Sequence, residues 1–167
     1  MSIQIGEPIP EVTLKYFRDG IQNIDTPSLF EAGKAVLFAV PGAFTPTCSA
    51  RHLPGFVDRF EQFRQRGIEV YCVSVNDPFV MHAWGQSANV PEGLRMLADG
   101  NGDFAKAMGL DMDASSNGMG LRSKRYALYA EHGVVRALWV ESPGEFKVSS
   151  AEHVLEQLPD QIPARKT

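Results

Sequence analysis

The chain has 167 residues, with 16 Lys+Arg against 20 Asp+Glu for a formal net charge of −4, a balance that gives no electrostatic case for nucleic acid. Hydrophobic residues make up 44% and charged residues 22%, close to globular averages, which argues against disorder and against a coiled coil. A chain of this length is expected to fold as one domain, residues 1–167, burying about two-thirds of its unfolded surface without a metal or disulfide staple.

The amino terminus, Met1-Ser-Ile-Gln-Ile-Gly6, lacks the basic region and apolar stretch of a secretory signal. The longest unbroken apolar run, residues 35–40, is far shorter than the ~18 residues of a membrane span. The expected location is the cytoplasm. After a loop-like start containing Pro8 and Pro10, Lys34-Ala-Val-Leu-Phe-Ala-Val40 reads as a strand covered on both faces. Pro41-Gly42 ends it. Thr45 can cap a helix with Pro46 at its first position, and Phe56, Val57, Phe60 and Phe63 form its apolar stripe. Pro54 lies inside that helix and should kink it.

A second buried strand follows at residues 69–75, and Asp77-Pro78 starts a helix carrying Phe79, Val80, Ala83 and Trp84. Residues 94–98 read as a third strand, 103–108 as a short helix and the Gly- and Ser-rich stretch 111–120 as a loop. Residues 125–141 read as a hairpin turning through Glu131-His-Gly133. Ser149 and Glu152 have capping-box spacing for a last helix with Val154, Leu155 and Leu158 buried, ended by Pro159 and Pro163 and followed by a polar tail at about 160–167. This alternation predicts an α/β thioredoxin-like sandwich, a central mixed sheet with helices on both faces.

The two cysteines, Cys48 and Cys72, are too few for a disulfide framework and do not form a C-x-x-C pair. Pro41-Gly-Ala-Phe-Thr-Pro-Thr-Cys48 puts one thiol in the first turn of a helix, where unpaired N–H groups and the positive dipole end favour thiolate. A free thiol is only ~3% ionised at pH 7, so complete ionisation gains no more than ~30-fold in nucleophile. Donors aimed at the charge developing on the electrophile are needed as well. Thr45 offers a hydroxyl and the main-chain amides of Thr47 and Cys48 offer N–H groups. A cation is still wanted, and charge alone does not choose among Arg122, Lys124 and Arg125.

The run Pro41-Gly-Ala-Phe-Thr-Pro-Thr-Cys-Ser-Ala-Arg-His-Leu-Pro-Gly-Phe56 resembles the active-site segment of the peroxiredoxin-5-like, or type II, peroxiredoxins, with their P-x-x-x-T-x-x-C signature. Ser74-Val-Asn-Asp-Pro-Phe-Val-Met81 and Arg122-Ser-Lys-Arg-Tyr-Ala-Leu128 resemble the same family. The resemblance implies a thiol peroxidase for hydrogen peroxide and organic hydroperoxides. In it Cys48 is the peroxidatic cysteine that becomes a sulfenic acid, Thr45 its hydroxyl partner, Arg125 the cation that stabilises thiolate and polarises peroxide, and Pro41 a shield over the sulfur. No metal or organic cofactor is implied. Family members commonly dimerise near the active site, so a homodimer involving Phe44, Phe79 and Trp84 is expected.

Some members carry a resolving cysteine just before the last helix, where this chain has Val148. An external thiol, from glutathione with glutaredoxin or from thioredoxin, is therefore the expected reductant. A two-cysteine cycle with Cys72 resolving is the alternative, although a mid-strand residue and a helix-start residue need Cα atoms within ~7 Å to bridge. Two other classes stand as alternatives: a disulfide oxidoreductase, disfavoured by the missing C-x-x-C, or a binding module with an inert Cys48. His52 suggests a Cys-His hydrolase pair but lacks an orienting third group. A zinc site at Cys48, His52 and Cys72 lacks a second close ligand pair. The 111–122 stretch has Ser116 and Arg122 where a calcium loop needs Gly and Glu.

Overall fold

The computed structural model describes residues 2–158; Pro159, Pro163 and the polar tail lie outside the described residues. The strands are β1 Thr13–Phe17, β2 Ile21–Asp25, β3 Lys34–Val40, β4 Glu69–Ser74, β5 Leu94–Ala98, β6 Asp111–Asp113, β7 Leu121–Ser123, β8 Tyr126–Glu131 and β9 Val134–Val140. The helices are α1 Thr26–Leu29, α2 Leu53–Asp58, α3 Phe60–Gln65, α4 Pro78–Ser87, α5 Asp103–Met108 and α6 Ala151–Gln157. Seven strands form one mixed sheet in the order β2-β1-β5-β4-β3-β8-β9, and β6 and β7 form a separate small ribbon.

The alternation of side chains along a strand sorts the core into two layers. Val36, Phe38 and Val40 of β3 face one way and pack with Phe56, Phe63, Trp84 and Val154. Ala35, Leu37 and Ala39 face the other way and pack with Leu29, Phe104 and Met108. Helices therefore cover both faces, as the continuous apolar reading of β3 requires. No helix among the described residues is long and apolar enough to cross a membrane.

Two regions read as loops are in fact paired. Residues 13–25 form the β1–β2 hairpin, with Asp19 at φ 54° and Gly20 at φ 116°. An Asp-Gly turn is a strong hairpin signal, but only Leu14 of β1 is fully buried, so the outer hairpin shows almost no apolar alternation. The 111–120 stretch contains β6, whose partner β7 follows a short 3-10 turn at Ser115–Asn117.

Three helix readings also change. The expected kink at Pro54 takes the form of a π-helical turn, Cys48–His52, in which the Leu53 N–H donates to the Cys48 carbonyl five residues back. Proline has no N–H and its ring crowds the carbonyl four residues earlier; a widened turn relieves both problems. In α4, Asp77 caps and Pro78 follows as expected, but the buried stripe is Met81, Trp84 and Gly85, while Phe79 and Ala83 face outward. For α6 the cap is Ser150, which accepts from the His153 N–H. Ser149 is drawn instead into a buried bond with Glu141.

Beneath the π turn, Phe56 stacks on Phe38 with centroids 4.0 Å apart and planes 3° from parallel, and on Phe63 at 5.5 Å. Replacing Phe56 by Ala should lower unfolding free energy by about 3–5 kcal/mol, through lost burial and the cavity left behind. Chemical denaturation measures it; a loss below about 1 kcal/mol would contradict this packing account.

Candidate active site

Antiparallel pairing brings the site together. Ala39 near the end of β3 lies opposite Tyr126 at the start of β8, so the segment leaving β3 at Pro41 and the residue entering β8, Arg125, meet at one end of the sheet. The Glu141 N–H donates to the Arg125 carbonyl at 3.0 Å, tying in the end of β9. After Pro41 the chain turns back sharply, with Phe44 at φ 64°, and is helical from Pro46. Gly42 lets the chain pass close here: a Cβ there would lie 2.9 Å from Arg122 Nη1 and 3.1 Å from Thr45 Cγ2, and both side chains would have to shift. The Ala43 N–H donates to Asn76 Oδ1 at 2.9 Å, which anchors the loop to the chain after β4.

Cys48 is fully buried, and its Sγ accepts a hydrogen bond from Arg125 Nη2 at 3.2 Å. The three candidate cations separate clearly. Arg122 donates from Nε to the Met119 carbonyl at 2.9 Å and from Nη1 to the Pro41 carbonyl at 3.3 Å. It straps the turn after the 3-10 helix to the proline loop. Lys124 is exposed and lines the adjoining cavity. Only Arg125 touches the sulfur.

His52 is part of the arrangement, in a role that differs from that of a base on the thiol. Its Nδ1 lies 2.9 Å from Arg125 Nη1, and its Nε2 lies 2.9 Å from the Ser149 carbonyl. A carbonyl only accepts, so Nε2 carries the proton and Nδ1 accepts from the guanidinium. Burial, with Arg125 next to the ring, holds the His52 pKa down at about 3, so the ring is neutral. Phe146 covers this corner, 4.9 Å from the His52 ring and 4.7 Å below the Arg51 guanidinium. Glu141 and Phe146 carry no periodic signal in the sequence, lying beside or in an irregular loop, and Ser149, read there as a helix cap, instead turns its carbonyl to His52 and its hydroxyl to Glu141.

Thr45 sits beside the site, but its hydroxyl donates to the Gly42 carbonyl at 2.6 Å rather than to the sulfur. With the proton committed there, the oxygen presents lone pairs. A cavity of about 350 Å³ opens next to this centre, lined in part by Pro41, Thr47, Met112, Met119, Lys124 and Arg125. Cys72 lies in mid-β4 opposite Phe38 and Met96. It is fully buried, and burial, with Cys48 nearby as a lesser cause, pushes its thiol well up, so it is held protonated. Of the three aromatics placed at a subunit contact, Phe44 and Phe79 are 55% and 57% exposed, but Trp84 is 1% exposed. Trp84 belongs to the core, its ring N–H donating to Ser49 Oγ at 2.9 Å, and cannot reach a partner.

The Redoxin family model matches residues 4–155. Peroxiredoxin-2C of Arabidopsis thaliana is 43% identical over 159 residues, covering 93% of this chain and 98% of the relative. The chloroplastic peroxiredoxin-2E-2 of Oryza sativa subsp. japonica is 46% identical over 164 residues, covering 94% of this chain and 73% of the relative. The crystal structure of reduced Prx3 from Vibrio vulnificus in complex with hydrogen peroxide superposes with a TM-score of 0.88 at 47% identity, over 92% of this chain and 98% of that one. With the fold and the sequence matching over more than nine-tenths of this chain, the chain belongs to the Redoxin family and is a thioredoxin-fold peroxiredoxin, a peroxidase of the oxidoreductase class.

Proposed function

We propose that Cys48 is the nucleophile of this peroxidase, and that the observation carrying the assignment is the 3.2 Å bond from Arg125 to its sulfur beside an open cavity. The thiolate attacks the terminal oxygen of a hydroperoxide. An S–O bond forms, the O–O bond breaks, and the leaving oxygen departs as water or an alcohol once protonated. Cysteine is oxidised to sulfenic acid and the peroxide is reduced. Arg125, already fixed, stabilises both the attacking sulfur and the negative charge on the leaving oxygen. Thr45 Oγ1, its own proton given to Gly42, accepts from the hydroperoxide O–H and orients it. The first-turn amides of Thr47 and Cys48 add donors, and Pro41 limits water at the sulfur.

The proposed cycle uses one cysteine of this chain. Val148 occupies the expected resolving position and its N–H is held by Glu141 at 2.8 Å, while Cys72 is a buried, protonated strand residue. Two equivalents of an external thiol then return the sulfenic acid to thiol, releasing water and a disulfide; glutathione with glutaredoxin, or thioredoxin, fits this need. The exposed Phe44 and Phe79 support a homodimer through that end of the molecule.

Replacing Arg125 by Gln should slow peroxide reduction at least ~100-fold, and stopped-flow consumption of hydrogen peroxide by the reduced protein measures it; unchanged kinetics would move the role elsewhere. Turnover with glutathione and glutaredoxin should survive Cys72→Ser, whereas its loss with accumulation of sulfenic acid would make Cys72 the resolving residue. Neutral His52 also makes the fold acid-labile. Its folded pKa of about 3 lies below the ordinary 6.5, so its contribution is complete above pH 6.5 and is lost as pH falls toward 3. The full loss is roughly 5 kcal/mol. Denaturation of wild type and His52→Phe between pH 7 and 4 checks this: the variant should show the flatter profile.

A further inference from the structure

Glu141 is 7% exposed, at the point where β9 gives way to the loop leading to α6. A carboxylate there needs strong compensation for lost hydration. It finds it entirely in the loop that follows. Its two oxygens accept from the Lys147 N–H at 2.9 and 2.8 Å, the Val148 N–H at 2.8 Å, the Ser149 N–H at 2.8 Å and the Ser149 hydroxyl at 2.7 Å. These bonds gather three successive amides onto one anion and close the loop upon itself. Although burial alone would raise its pKa, the donors hold it below the usual carboxylate value.

The closed loop meets the active site at two points. The Ser149 carbonyl accepts from His52 Nε2, and the Phe146 ring lies against His52 and, at 5.8 Å, over the Arg125 guanidinium. The first contact decides the histidine's tautomer. Were that carbonyl to turn away, the proton would be free to move to Nδ1, which would then be a donor facing a donor and could not hold Arg125 Nη1. The guanidinium would lose its histidine partner and keep the bond to the Cys48 sulfur.

We infer that Glu141 is a positioning residue for the peroxidase reaction: by pinning residues 147–149 it presents the Ser149 carbonyl to His52, and through the Nε2–H tautomer of His52 it fixes Arg125 on the Cys48 sulfur. The inference rests on the reading of Cys48 as nucleophile and adds to it a residue at the cavity wall whose carboxylate is bonded to the amides of Lys147, Val148 and Ser149 and to the Ser149 hydroxyl. It also gives the segment that holds Val148 an architectural task distinct from resolving a sulfenic acid.

The test uses the full chain with Cys72→Ser, so that Cys48 is the sole thiol. Glu141→Gln keeps the side chain's shape, removes its charge and puts an amide N–H₂ among amide donors. Two quantities are read on reduced protein: the pH midpoint of Cys48 alkylation by iodoacetamide, and the second-order rate constant with hydrogen peroxide. Glu141→Gln should move the midpoint upward and slow the peroxide reaction about tenfold, the scale set by losing one well-made charge-assisted bond. The double-mutant cycle supplies the decisive contrast. In a His52→Phe background, Glu141→Gln should add little further change to either quantity, because its effect passes through His52. An effect of undiminished size in that background would overturn the relay, as would an unchanged midpoint and rate in a Glu141→Gln protein that has merely lost thermal stability. Should Glu141→Gln not fold, Glu141→Asp, which keeps the charge but shortens the reach, is held to the same outcomes at smaller amplitude. A parent protein that alkylates at Cys48 yet fails to react with peroxide would refute the nucleophile reading and leave the relay's effect on the alkylation midpoint to be judged by itself.

Discussion

The Arg125 guanidinium is held at two ends, by the Cys48 sulfur at 3.2 Å and by the His52 ring at 2.9 Å. A guanidinium on a long, mobile side chain gives little catalysis unless its donors are fixed before the charge they must meet develops. Here part of the fixing is done by a neutral ring, His52. His52 accepts without competing for the thiolate, and its burial keeps it uncharged. A protonated imidazole would repel the arginine and offer it no lone pair. The site therefore depends on an apolar surround, built by Phe38, Phe56 and Phe146 around the imidazole, as much as on its polar groups.

The fold makes this arrangement with few devices. A parallel core of β3, β4 and β5 sets a rigid floor, and β8 returns antiparallel beside β3. That pairing places Arg125 next to a loop nearly eighty residues earlier in the chain. The π turn at Cys48–His52 then lets proline occupy the helix immediately afterwards, with Cys48 and His52 both buried in that turn. The single turn thus supplies both partners that the guanidinium grips.

Elements whose chemistry is local could be read from the sequence. The buried strands announce themselves by continuous apolar runs, and Asp77-Pro78 gives a cap and a first helical position, which α4 uses. Pro41, Thr45 and Cys48 fall in one contiguous segment, so their proximity follows from spacing. Arg125 separates from Arg122 and Lys124 in the sequence only by family resemblance, because three cations within four residues look alike until strand register is known. Half-buried elements left weaker traces: β1 and β2 lie at the sheet edge, where alternation fades, and Phe79 turns outward on a helix whose buried stripe is Met81 and Trp84.

Other features were beyond reach for a physical reason. The sequence sets His52 aside as half of a hydrolase pair but does not reveal its bond to Arg125, since a sequence shows which groups can hydrogen-bond but not which atom each one faces. The Thr45 hydroxyl donates to the Gly42 carbonyl, a direction that residue spacing does not reveal. Glu141 acts through amides that any residue type would supply, so nothing in the side chains at 147 and 148 betrays it. The central claim, that a cysteine locked beneath Arg125 is the atom that takes oxygen from peroxide, is tested most directly by treating reduced protein with one equivalent of hydrogen peroxide, trapping with a sulfenic-acid reagent and mapping the label by peptide mass spectrometry. The account predicts peroxide-dependent label on Cys48 and not on Cys72; label absent from Cys48 while its thiol remains open to alkylation would contradict it.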